Sequence, residues 1–291
     1  MRTWKTKVSA EDNGIRLSTF LYKRLKLTRR QISRLKFIEN GIRVNDRSCK
    51  TDHMLSEGDE VSLLLGKTTH DLNAPDPVHA LRILWENEDL ICVHKPFDLA
   101  FHPSHGHYYD TLSIQLDALL KQAGRATTLH AVGRLDKDTS GIAVFAKHPI
   151  AAQRLQHQRQ QGILEKEYLC IVHGKTKEHG TIELPIMKDN SILNRMMIHP
   201  DGKPAYTEYR KIKEGEDWSL LRVHIKTGRT HQIRLHMSSI HHPLLGDVLY
   251  GKDDHCPRLA LHAASLSFHD PFSDEPVSIT DHDDSFFDLI K

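Results

Sequence analysis

Between Gly133 and Gly141 the chain reads Gly-Arg-Leu-Asp-Lys-Asp-Thr-Ser-Gly and runs straight on into an apolar stretch, Ile142 to Ala146. A short apolar run bounded by turn residues reads as a buried strand, which a fold must cover with other elements. Asp136 therefore sits in a loop of tight-turn and hydroxyl residues just ahead of that strand. This context fits a nucleophilic or acid/base carboxylate held by backbone donors better than a solvated surface charge.

Further elements of both types surround it. Leu90 to Val93, Tyr168 to Val172 and Leu220 to Ile225 have strand character. Thr111 is placed to cap a helix with Leu112, Leu116, Leu119 and Leu120 on one face, Ala151 to Gln161 reads as another helix, and Arg229 to Ile240 as a third. Strand and helix do not alternate strictly, so the pattern predicts an α+β fold over a doubly wound one. Among the 291 residues no apolar run is long enough to span a membrane, and Met1 to Lys7 lacks the apolar core of a signal peptide. Cys49, Cys92, Cys170 and Cys256 are widely spaced, which predicts buried free thiols in a reducing cytoplasm.

The net charge of +2 conceals an asymmetry: residues 1–67 hold 15 Lys/Arg against 8 Asp/Glu, a net +7, leaving −5 for the remaining 224 residues. A basic front end is the footprint of a nucleic-acid-binding module, or a solvated helix face. Leu17, Phe20, Leu21 and Leu25 fall at helical spacing. Thr28 opens a second helix with Ile32, Leu35 and Ile38 inward, and Arg29, Arg30, Arg34 and Lys36 mostly outward. Gly41 is placed to end it in the left-handed position. Strands at Ile42–Asn45 and Glu60–Leu65 follow, the second introduced by Gly58-Asp59. Residues 1–66 are thus expected to form one domain, 67–79 a Pro-bearing linker and 80–291 a second domain. The end of the chain, Asp270 to Lys291, has seven acidic residues and one Lys and reads as a solvated tail.

The Gly133–Gly141 run resembles the catalytic motif of the RluA-type pseudouridine synthases, enzymes that isomerise uridine in RNA. Lys166-Glu167-Tyr168 resembles that family's tyrosine motif, and Thr227-Gly228-Arg229-Thr230-His231-Gln232-Ile233-Arg234 its arginine motif. Lys95-Pro96-Phe97-Asp98 is similar to its first motif. Residues 14–65 resemble the small RNA-binding domain named after ribosomal protein S-four. The resemblance implies a basic RNA-binding domain in front of a catalytic domain built on a long, bent, mostly antiparallel sheet flanked by helices.

It also implies roles. Asp136 is the catalytic carboxylate, as nucleophile or as base at the ribose; Tyr168 stacks on the extruded uracil; Arg229 holds Asp136 ionised by a two-pronged contact. Arg134 matches a residue that wedges into RNA. His231, Gln232 and Arg234 support the site or touch phosphate, and Arg29, Arg30, Arg34 and Lys36 present the basic helix face. Relatives usually carry His where this chain has Gly133, so contacts around the flipped base are expected to differ. The isomerisation is redox-neutral and delivers no outside group, so no cofactor and no metal are expected. The His102-Pro103-Ser104-His105-Gly106-His107 run lacks a carboxylate at catalytic-zinc spacing. The expected partner is structured RNA, foremost large-subunit ribosomal RNA, met by a cytoplasmic monomer. A transfer-RNA substrate and a non-catalytic ribosome-assembly role are the alternatives.

Overall fold

The computed structural model describes residues 2–36, 40–65, 81–103 and 110–290. The segment read as a linker, 67–79, lies outside them, as do Ile38, His105 and His107 and the side chains of Arg30 and Arg34.

The N-terminal part is an antiparallel sheet in the order Arg2–Lys7, Glu60–Leu65, Ile42–Val44, Arg47–Ser48, backed by helices Leu17–Lys23 and Arg29–Lys36. Thr28 caps the second helix reciprocally: its Oγ1 accepts from Gln31 N at 3.2 Å while Gln31 Oε1 accepts from Thr28 N at 2.7 Å. Leu17, Phe20, Leu21, Leu25, Ile32 and Leu35 bury against Val61 and Leu63 of the sheet. The left-handed residue after this helix is Asn40, with φ 58°, and not Gly41 as expected. Asn tolerates that region, and Gly41 is instead drawn into the sheet, its carbonyl accepting from Leu64 N at 3.0 Å.

The second sheet has ten strands. Its main path runs His179–Ile182, Thr207–Glu214, Trp218–Ile225, Glu165–His173, Leu261–His269, Ser140–Ala146, Leu90–Lys95, Ile83–Glu86. Pairing is antiparallel except between Leu261–His269 and Ser140–Ala146. This is the α+β architecture anticipated from the sequence. The apolar run after Asp136 lies at its centre and alternates between two cores. Ala143 and Phe145 face one, with helix Leu112–Gln122; Ile142, Val144 and Ala146 face the other, where Ala151 and Leu155 of helix Pro149–Gln161 cover them. Burial on both faces explains why the run carries no polar residue.

Three expectations are corrected. Thr111 precedes its helix but makes no side-chain cap, its Oγ1 lying 3.3 Å from Ser113 Oγ. Cys49 and Cys256 are only half-buried, while Cys92 and Cys170 are core. The acidic end is no solvated tail: Pro276–Thr280 pairs with Leu261–His269, and Phe286 is fully buried. Two of its charges are held internally, Asp281 by Arg82 and His94 and Asp283 by Arg258, while Asp274, Glu275, Asp284 and Asp288 stay exposed. Burial would push the Asp283 carboxyl up, but hydrogen bonds from Ser285 and Arg258 hold it well below the usual carboxylate range.

Candidate active site

The loop 132–139 hangs between the short strand His130–Ala131 and Ser140–Ala146, and it is fixed from several sides. Thr139 N donates to Asp136 O at 3.2 Å. Ser140 Oγ accepts from Arg258 and pairs with His262 Nδ1 at 2.8 Å. Gly141 pairs in parallel with Ala263 at φ +111°, and a Cβ there would meet Ala263 O at 2.3 Å, so the loop's exit admits glycine alone. Lys95, fully buried, donates from Nζ to Pro96 O and Lys137 O at 2.7 Å each, tying the loop to the neighbouring strand.

Asp136 is half-buried and opens on a cavity of about 820 Å³. Tyr168 enters the same cavity from the middle of strand Glu165–His173, flanked by Val223 and Ala263. Burial pushes its phenol far above the ordinary range, and the charge of Asp136 pushes it further, with Arg159 opposing. The phenol is therefore a neutral hydrogen-bond donor with an apolar ring, not a phenolate. Arg134 lines the cavity from an exposed position, and Lys166, two residues before Tyr168, lines it half-buried. Burial, and after it Arg159, lowers the Lys166 ammonium to about 8.

The Thr227–Arg234 stretch forms the opposite wall. Gln232 organises it: its Oε1 accepts from Thr227 Oγ1 at 2.8 Å and Arg229 N at 3.0 Å, while its Nε2 donates to Tyr206 O at 2.9 Å. His231 adopts a left-handed backbone, φ 54°, ahead of helix Gln232–Ser239, and its Nδ1 meets Tyr250 OH at 2.9 Å. Burial lowers the His231 imidazole, against the pull of Asp136, so the ring is neutral near pH 7.

Two arginines depart from expectation. Among the described residues no ion pair joins Arg229 to Asp136; Arg229 Nε donates instead to Pro204 O at 3.0 Å. Arg234, expected to support the site or touch phosphate, has two prongs of its guanidinium engaged within the protein. It is buried and grips Asp247 through Nε at 2.8 Å and Nη2 at 2.7 Å, while still lining the cavity. Asp247 in turn accepts from Leu249 N and Tyr250 N at 3.1 Å each, so the pair pins the 247–250 turn beneath the cavity. In the N-terminal helix, Arg29 and Lys36 are exposed.

Sequence reasoning passed over two residues. Lys95 stood in a quoted motif, yet nothing local marks it as buried. Arg159 lies in a Gln-rich helix with no motif at all. Among the described residues no group of three or more His, Cys, Asp or Glu could hold a metal ion.

The signature of the RNA pseudouridylate synthase family matches residues 89–239. Ribosomal large subunit pseudouridine synthase D of Escherichia coli (strain K12) is 34% identical over 265 residues, spanning 83% of this chain and 79% of that relative. The enzyme of the same name from Nitrosomonas europaea is 37% identical over 229 residues, spanning 74% of this chain and 66%, just under two thirds, of that relative. Among solved structures, human RNA pseudouridylate synthase domain containing 1 superposes with a TM-score of 0.60 at 26% identity, covering 72% of this chain and 86% of that one.

Proposed function

The chain belongs to the RNA pseudouridylate synthase family, and from that premise we propose that it converts specific uridines of large-subunit ribosomal RNA to pseudouridine, with Asp136 as the catalytic carboxylate. The reaction breaks the bond between uracil N1 and ribose C1′, turns the base and rejoins it through C5, which gives up its proton while N1 gains one, so the product is an isomer of the substrate. One observation carries the assignment: Asp136 and Tyr168 face a single cavity large enough for a nucleotide, close enough that the Asp136 charge raises the phenol.

In this reading a uridine leaves the RNA stack, and its base lies against the Tyr168 ring while Asp136 engages the ribose. The neutral phenol and the neutral His231 imidazole border the base without adding a competing charge. The Lys95 contact to the Asp136 loop holds the carboxylate in place during the turn of the base, so little reorganisation is left for the reaction itself. Arg229 orders its own loop through Pro204 and meets the RNA backbone from there, and Arg134 props the emptied position. Residues 1–66, in the manner of an S-four-like domain, anchor the RNA through Arg29, Arg30, Arg34 and Lys36. The enzyme works as a cytoplasmic monomer. Among the described residues no helix is long and apolar enough to cross a membrane.

Two measurements test this. Pseudouridine mapping of total RNA from cells with and without the protein should show sites in large-subunit ribosomal RNA that vanish with it; sites only in transfer RNA would displace the substrate assignment. Asp136→Asn keeps the side-chain shape and removes its charge, so single-turnover isomerisation should fall by at least about a thousandfold while RNA affinity hardly changes. Appreciable turnover by that variant would remove Asp136 from the chemistry.

A further inference from the structure

Arg159 occupies the last turn of helix Pro149–Gln161, and its guanidinium passes between two glycines of different loops. A Cβ on Gly133 would lie 3.3 Å from Nη1, and one on Gly228 only 2.1 Å from Nη2. The first glycine lies in the Asp136 loop, three residues before Asp136, and the second directly precedes Arg229. Both being glycine is what lets the guanidinium through to the cavity, which it lines. The slot also gives a use to Gly133, at the position where the resembled family usually has His.

The helix is well anchored for this task. Gln158, the preceding residue, clasps the backbone of His269, donating to its carbonyl at 2.8 Å and accepting from its N–H at 3.0 Å. Arg154 is sandwiched between Trp4 and Phe272 rings, 4.3 and 4.8 Å from their centroids, and Pro149 O accepts from Gln31 Nε2 at 2.9 Å. Trp4 and Gln31 belong to the N-terminal part, so the same helix meets the proposed RNA-binding module at one end and the cavity at the other.

The guanidinium itself is unspent. Among the described residues it has no hydrogen bond and no ion pair. Arg134 and Lys166 line the same cavity as Arg159, and although Asp136, Glu165 and Glu208 line it too, none of these carboxylates pairs with the Arg159 guanidinium among the described residues, so a cationic side of the cavity stays open to an incoming anion. The anion that RNA brings is its backbone phosphate, and a guanidinium fork matches phosphate oxygens.

We propose that Arg159, threaded between Gly133 and Gly228, binds the backbone phosphate of the nucleotide entering the cavity and so positions its ribose over Asp136. The proposal rests on the RNA-isomerising reading above and extends it to a residue outside the family motifs.

The test uses the full-length protein and a uridine-containing stem-loop of large-subunit ribosomal RNA, with affinity measured across salt concentration and pseudouridine formation measured separately. Arg159→Gln should weaken binding about tenfold and reduce the slope of log affinity against log salt by about 0.7–0.9, one phosphate contact. Arg159→Lys keeps the charge and should retain the slope while losing only a few-fold in affinity. Gly228→Ala should displace the flexible guanidinium, reproduce the Gln effect in the wild-type background and add nothing in Arg159→Gln. An unchanged slope in Arg159→Gln overturns the proposal, whatever happens to turnover, as does a Gly228→Ala effect that multiplies with it. Turnover by the wild-type protein reports on the reaction alone, so the two readings succeed or fail separately.

Discussion

Replacing Lys95 with Met should change how stability depends on pH, because this ammonium is held in a place that penalises its charge. Lys95 is fully buried, and burial lowers its pKa from 10.5 to about 7, against the pull of Asp138 and Asp136. Between pH 7 and 10.5 the unfolded chain carries a proton on Lys95 that the folded chain has released. The unfolded state then binds more protons, so stability rises with pH across that window and falls as pH drops toward 7. The full shift corresponds to about 5 kcal/mol, and the part recovered between pH 7 and 9 to about 2 kcal/mol. Met has no such proton, so this rise should be missing from the variant. Urea unfolding of both proteins at pH 7, 8 and 9 isolates it, since every other titration cancels in the difference. Parallel pH dependences would refute the buried-charge reasoning. Met also leaves Lys137 O without its donor, so single-turnover isomerisation should fall at a pH where the variant is fully folded.

Other outcomes follow from the same geometry. Arg234→Met strands the Asp247 carboxylate in the interior and should cost about 3–5 kcal/mol in unfolding free energy, read from denaturant midpoints, whereas a true RNA contact would lower affinity and leave stability alone. Gly141→Ala places a Cβ 2.3 Å from Ala263 O at φ +111°, and the clash should destabilise by about 3 kcal/mol or prevent folding, visible as a lowered Tm or loss of soluble protein. Changing exposed Arg29 and Lys36 together to Gln should flatten the salt dependence of RNA affinity by about 1.5 in slope, with turnover at saturating RNA unchanged; an unaltered slope would place the RNA elsewhere.

What the sequence determined by itself was local. The buried apolar run Ile142 to Ala146, the helix start at Thr28 and the motifs around Asp136, Tyr168 and Arg229 are settled by residues a few positions apart, where propensity and spacing decide. The α+β class followed from the order of such segments. Tertiary structure alone decided which charges stay available. Arg234 reads as basic and functional until Asp247, 13 positions on, takes both prongs of its guanidinium. The acidic end reads as solvated until Arg82 and Arg258 pair with Asp281 and Asp283 and Phe286 seats it. Arg159 reads as one more solvent-facing helix residue until two glycines, 26 and 69 positions away, open a slot for it. The reason is physical: the free energy of a charge depends on its partners and its solvation, and in a folded chain both are supplied mainly by residues distant in sequence.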